Sequence, residues 1–125
     1  MTRVRSYQVP WRLIFALGVG GGLYLSLRDP TGQAAWFAQA DKLQHALGFL
    51  VLWFVGIRAW PRHSVNLFVG LLVLGVGIEV LQSFTPLRQA SMADVLADAF
   101  GIGLGALWTW QGRRSAKGLV SPADS

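Results

Sequence analysis

The chain has 125 residues, of which 53% are hydrophobic and 14% charged, and its formal net charge is +5. Ordinary soluble domains carry about 25% charged residues and a chain this short leaves much of its surface exposed, so the composition disfavours a water-soluble domain. The eleven Lys and Arg residues form no continuous basic face, which argues against nucleic-acid binding, and the absence of cysteine excludes disulfides and thiolate metal sites.

Four apolar segments follow one another along the chain. Basic residues bracket the first two, and each segment approaches the roughly 20 residues that a bilayer demands. Four such runs in succession are not expected of the buried helices of a soluble protein. We therefore predict an all-α, polytopic membrane protein, a bundle of four transmembrane helices. The predicted spans are residues 11–28, 42–60, 65–84 and 91–111.

The Lys and Arg residues lie unequally on the two sides of these spans. The side of both termini holds Arg3, Arg5, Arg12, Arg58, Arg62, Arg113, Arg114 and Lys117. The other side holds only Arg28, Lys42 and Arg88. Because cytoplasmic loops retain positive charge, we predict a multi-pass protein of the bacterial inner membrane with both termini in the cytoplasm.

Residues 1–114 are predicted to form a single transmembrane domain, and residues 115–125 a flexible cytoplasmic tail. An alternative treats the N-terminus as a signal peptide cleaved near the Ala-Gln-Ala triplet at residues 38–40. The apolar core ends at Leu27, however, which places this triplet too far downstream for a usual cleavage region.

Polar residues gather toward the predicted outer ends of the later spans. Those within one span are three or four positions apart, so they share one helical face. Ionisable groups at the centre of a membrane helix cost roughly 2.5–3.5 kcal/mol, so they are expected to face other helices or water. We predict a shared polar pocket on the extracytoplasmic side, formed by Asp41, Lys42, His45, Glu79, Gln82, Arg88, Ser91, Asp94 and Asp98.

Local roles are an alternative for several of these residues. Asp41 fits a helix N-cap, and Ser91 with Asp94 fits a capping box. Glu79 could be neutralised by Arg88 across the turn between the third and fourth spans.

Asp98 favours the pocket most strongly, because it lies beyond any capping position and apolar residues follow it. Gly101 and Gly105 lie four apart on roughly the same side of that span, and Gly18 and Gly22 have the same spacing in the first span. Small residues at this spacing permit close approach of helices, so a packing role is predicted for both pairs.

An internal repeat is a further hypothesis. Residues 40–48 and 93–101 share five of nine positions, which fits two parallel αα-hairpin repeats related by an axis along the membrane normal. Alanine, leucine and glycine matches are common in membrane helices, so coincidence is the alternative.

The order and spacing of the polar residues resemble the VanZ-like family of bacterial membrane proteins. The resemblance covers most of residues 41–105 and rests on Asp41, Lys42, His45, Glu79, Gln82, Arg88, Ser91, Asp94, Asp98 and Gly101. The family's last pair often reads as aspartate followed four positions later by asparagine, whereas this chain has Asp98. The resemblance implies a protein of the bacterial cell envelope, in a family whose namesake is associated with antibiotic resistance, to the glycopeptide teicoplanin.

Three functions fit these observations. The favoured one is binding, without a cofactor or metal, of a lipid headgroup, cell-wall precursor or glycopeptide-type antibiotic at the outer pocket, with membrane lipids as partners. The second is an intramembrane enzyme in which His45 or Glu79 is the general base for a lipid-linked substrate, with carboxylates holding a divalent ion. The third is a structural or assembly subunit. No nucleophile or metal-ligand motif identifies catalytic residues, which is why binding is favoured.

Overall fold

A computed structural model describes residues 8–28, 37–85 and 91–119. All regular structure in these ranges is helical, which confirms the predicted all-α class. The helices are α1 (Trp11–Leu27), α2 (Phe37–Ala59), α3 (Ser64–Ser83) and α4 (Met92–Leu119).

Two helices begin or end beyond the predicted spans. α2 starts at Phe37 rather than at residue 42, because the Ala-Gln-Ala triplet that follows is made of good helix formers. α4 continues to Leu119, past residue 115 where the tail was predicted to begin. Its last turns carry Arg, Ala and Lys residues, which favour helix, and Lys117 lies where the helix dipole favours a cation.

Two of the helices are long and apolar enough to cross a bilayer. They are Ser64–Ser83, with a mean hydropathy of 2.1, and Met92–Gly118, with a mean hydropathy of 1.2. α1 is apolar but has only 17 residues, and the early turns of α2 carry the polar residues predicted to form the pocket. Length and composition therefore establish two candidate spans.

Helix direction alternates along the chain. Arg12, at the start of α1, lies over the ring of Trp60, just after α2, while Gln82 near the end of α3 bonds Ser26 near the end of α1. α1 and α3 thus run in one direction and α2 and α4 in the other. α2 makes the most extensive contacts of the four helices, first with α4 and then with α1.

The contact between α2 and α4 depends on glycine. A Cβ atom at Gly101 would overlap the backbone carbonyl oxygen of Ala46, and one at Gly105 would lie 2.6 Å from Cδ1 of Trp53. Trp53 Nε1 donates a hydrogen bond of 3.0 Å to Thr109 Oγ1, which in turn donates to the Gly105 carbonyl. This close approach allows side chains of α2 and α4 to meet directly at the site described below. The surrounding core comprises Phe49, Trp53, Leu67, Leu71, Ile78 and Ile102.

Much of the apolar surface faces outward. Only 22% of the apolar stretch of α3 and 28% of that of α4 is buried, so most of each stretch faces outward from the bundle. One face of α3 exposes valines at the three- and four-residue spacing of a helical stripe. These are Val65, Val69, Val73, Val76 and Val80.

Candidate functional site

The site lies where α2 and α4 begin and α3 ends. Its centre is His45 on α2, whose Nδ1 is 2.9 Å from Oδ1 of Asp98 on α4. The two side chains are 8% and 1% exposed, so this bond is buried between the helices. Asp98 is seven residues into α4, beyond the first turn, so capping does not explain it.

Two further acidic residues surround the histidine. Asp41 Oδ2 lies 3.9 Å from His45 Nε2, one helical turn away on the same face. Asp94 Oδ1 lies 3.8 Å from Lys42 Nζ. The side chains of Asp41 and Lys42 are 37% and 51% exposed, whereas that of Asp94 is 10% exposed. The cluster therefore has a buried floor at Asp98 and an accessible rim on α2.

Glu79 of α3 caps the first turn of α4. Its Oε2 accepts a hydrogen bond of 2.8 Å from the backbone N–H of Ser91. In a capping box, the side chain three positions later, here that of Asp94, would accept the hydrogen bond from this N–H. With Glu79 in that role, the Asp94 carboxylate instead faces Lys42. The alternative partner for Glu79, Arg88, lies outside the described residues.

Two carboxylate oxygens of the site are buried without a hydrogen-bond partner among the described residues. They are Oε1 of Glu79 and Oδ2 of Asp98. A buried acceptor without a donor costs roughly 1–3 kcal/mol, and more when it is charged.

Gly75 belongs to the site although the sequence analysis did not single it out. A Cβ atom there would lie 2.8 Å from Asp98 Oδ2 and 3.3 Å from Asp98 Cβ. The absent side chain makes the space that the Asp98 carboxylate fills between α3 and α4. Its spacing of four from Glu79, which places both on one face of α3, is the signal that could have identified it.

Gln82 connects the site to α1. Its side chain is 2% exposed, and its Nε2 donates a hydrogen bond of 2.9 Å to the carbonyl oxygen of Ser26. That carbonyl belongs to the last turn of α1, where backbone oxygens lack partners within the helix. Gln82 thus fixes the end of α1 beside α3, a pairing that the sequence did not indicate.

A groove of about 530 Å³ leads from this site along the contact between α1 and α2. Asp41, Gln44 and His45 lie at its polar end, and leucines and glycines line the remainder. Gly18 approaches Leu52 here, as expected of a packing residue, whereas a Cβ atom at Gly22 would meet nothing within 4 Å. Gly22 widens the groove and does not bring two helices together.

A larger cavity of about 710 Å³ lies between α1 and α3 near the turn after α2, and it is lined by Phe15, Trp60, His63 and Asn66 among others. No carboxylate is among the described residues that line this cavity. The smaller groove is the better site because ionisable groups from several helices converge at its end.

The part of the chain that the structure describes contains one potential metal-ligand set. Ligand atoms of Asp41, His45 and Asp94 all lie within 4.8 Å of one another. The Asp98 carboxylate on Nδ1 would orient the imidazole for such a role. The Lys42 ammonium beside Asp94 opposes it, however, because it competes with a cation for that oxygen.

Comparisons with known proteins returned no match, whether with family models, curated proteins or solved structures.

Eight of the nine residues predicted for the pocket lie at the end of the bundle just described. The ninth, Arg88, is outside the described residues.

Proposed function

We propose that this chain is a bacterial envelope membrane protein that crosses the bilayer four times and binds the polar head of an amphiphilic molecule at its extracytoplasmic end. The observation that carries the proposal is the convergence of Asp41, Asp94, Asp98 and Glu79, from three helices, around one buried histidine. Ionisable groups at membrane depth are costly and usually serve a function.

The outward apolar surface supports the membrane assignment. Large hydrophobic side chains are exposed on every helix, and a monomer in water rarely exposes such extensive apolar surface. α1, with 17 residues, would complete its crossing with flanking residues, whereas α2, with 23, is already long enough. Both pack against α3.

Arginine–tryptophan contacts support the proposed orientation. At the end of the bundle opposite the polar cluster, three guanidinium groups lie 4.6–5.5 Å from indole ring centroids. Arginine and tryptophan at one bilayer interface, with the excess positive charge, are typical of the cytoplasmic side. The pairs are Arg12–Trp60, Arg58–Trp11 and Arg114–Trp110.

Cysteine accessibility tests this orientation. A cysteine introduced at Gln33 is expected to react with a membrane-impermeant maleimide from outside intact cells. One introduced at Ser64 is expected to react only after the membrane is opened, and labelling of Gln33→Cys only from inside would overturn the topology and the position of the site.

The chemistry of the cluster selects for ligands rich in hydrogen-bond donors. Carboxylate oxygens accept hydrogen bonds from hydroxyl, amide and ammonium groups, and the Asp41 carboxylate at the rim of the cluster is 37% exposed. Lipid headgroups, cell-wall precursors and glycopeptides all carry such donors. The VanZ-like resemblance, which rests on the motif residues, is consistent with an envelope ligand of this kind.

The binding proposal is tested by native mass spectrometry of the delipidated protein with phosphatidylethanolamine, the cell-wall precursor lipid II and teicoplanin. At least one is expected to bind, and Asp98→Ala is expected to weaken it by about tenfold or more, equivalent to about 1.4 kcal/mol. Thr109→Val is the control, because it removes a polar group from the same helix at the opposite end.

Unchanged binding of all three probes by Asp98→Ala would contradict the proposal. Failure of both variants to accumulate in the membrane would favour a purely structural role for the polar groups.

The Asp98–His45 hydrogen bond favours an intramembrane enzyme as the second candidate. A buried carboxylate on Nδ1 fixes the imidazole so that Nε2, on the groove side, can accept a proton from a hydroxyl or water. Incubation with a bacterial lipid extract distinguishes the candidates. Turnover that is lost in His45→Asn would establish catalysis, and a chelator would show whether a divalent ion takes part.

A further inference from the structure

The groove between α1 and α2 changes in character along its length. One end is lined by Ser26, Asp41, Gln44 and His45, which carry hydroxyl, carboxylate, amide and imidazole groups. Beyond it the wall is hydrocarbon, formed by Leu17, Leu47, Val51, Leu52 and Leu74. Its volume of about 530 Å³ is within the 300–1,000 Å³ typical of ligand pockets.

Glycines on α1 keep this groove open at the side. Gly21 and Gly22 both line it, and a Cβ atom at either would meet no other atom within 4 Å. Several wall residues, including Leu17 and Val51, are more than half exposed, so the groove is continuous with the outer surface of the bundle. In a bilayer that surface faces lipid chains.

We propose that this groove holds a hydrocarbon chain of a membrane amphiphile that enters sideways from the bilayer, while N–H or O–H donors of its head bind Asp41 and His45. This inference rests on the proposed headgroup site and names its ligand class. The head is specified by the Asp41 carboxylate and His45 Nε2, since these atoms at the polar end offer acceptors to a donor-bearing head. The hydrocarbon chain of the amphiphile is specified by the apolar wall of the groove, which follows the polar end without interruption.

The test uses the full chain reconstituted in vesicles of phosphatidylcholine and phosphatidylglycerol. The probes are phosphatidylethanolamine and phosphatidylcholine that carry a photoreactive diazirine in one acyl chain. Their heads have the same net charge, but only the ethanolamine ammonium has N–H donors. The ethanolamine probe is expected to label wild-type protein more strongly, and mass spectrometry is expected to locate the label in residues 17–25 and 44–52.

Gly22→Leu fills the groove and is expected to lower labelling by the ethanolamine probe by about tenfold, equivalent to about 1.4 kcal/mol. Gly20→Leu is the matched control. It adds the same side chain to the same helix, at an exposed position that is outside the groove lining and also has nothing within 4 Å of its Cβ.

Equal labelling of the two leucine variants, or wild-type labels outside the groove, would overturn the chain-binding inference. Equal labelling by the two probes would indicate annular lipid and overturn the head selection. Label mapping in the wild type decides the question even if Gly22→Leu does not fold. If the groove fails this test while Asp98→Ala still weakens binding of a soluble or lipid probe, the headgroup site stands and only the groove is excluded.

Discussion

Substitution of Gly101 by alanine should separate α2 from α4. The added Cβ would overlap the carbonyl oxygen of Ala46, and this backbone atom cannot rotate away as a flexible side chain can. The overlap can be removed only if α2 and α4 move apart, and their contact is the most extensive in the bundle. Overpacking a tight interior costs about 1–3 kcal/mol, and a backbone obstacle places this variant toward the upper end of that range.

Thermal unfolding in detergent, followed by circular dichroism and by aggregation on size exclusion, measures this loss. Gly103→Ala is the control on the same helix, because a Cβ atom there meets nothing within 4 Å. It is expected to be neutral or to stabilise by up to about 1 kcal/mol, since alanine is the better helix former. Equal stability of the two variants would refute the argument that Gly101 sets the distance between α2 and α4.

The remaining predictions concern one residue of the site and one of the α2–α4 contact. Gly75→Ala places a Cβ 2.8 Å from Asp98 Oδ2, so it should displace that carboxylate and weaken headgroup binding, whereas Gly77→Ala, with nothing within 4 Å, should not. Equal binding by both would contradict the role of Gly75. Trp53→Phe removes the hydrogen bond to Thr109 and should lower the unfolding free energy by about 1 kcal/mol. A double-mutant cycle with Thr109→Val should show coupling, and strictly additive losses would exclude it.

The residue pattern was sufficient to predict the helices and the shared faces of the polar pairs. α3 begins and ends within one residue of its predicted bounds, because a long apolar run with the single charged residue Glu79 stops at a polar Gln-Ser pair before Pro86. His45 was predicted to share a face with Asp41, and His45 Nε2 lies 3.9 Å from Asp41 Oδ2. Periodicity within one helix determines such neighbours.

Partners across helices were decided by tertiary structure. His45 bonds Asp98 at a sequence separation of 53, Glu79 bonds the backbone of Ser91, and Gln82 bonds the backbone of Ser26. Spacing cannot select among several acidic residues at similar depth. The selection depends on which helices approach closely, and glycines and large side chains at each contact set that distance.

By itself, the sequence determined that the chain is helical, that its apolar surface is extensive, and that the acidic residues of the second, third and fourth apolar segments collect at one end. Those properties follow from composition and from the helical period, which are local. Only the packed structure decided that Asp98 lies under His45, that Gly75 makes room for its carboxylate, and that Gly22 opens a groove to one side. These features depend on distances between helices, which no single helix encodes.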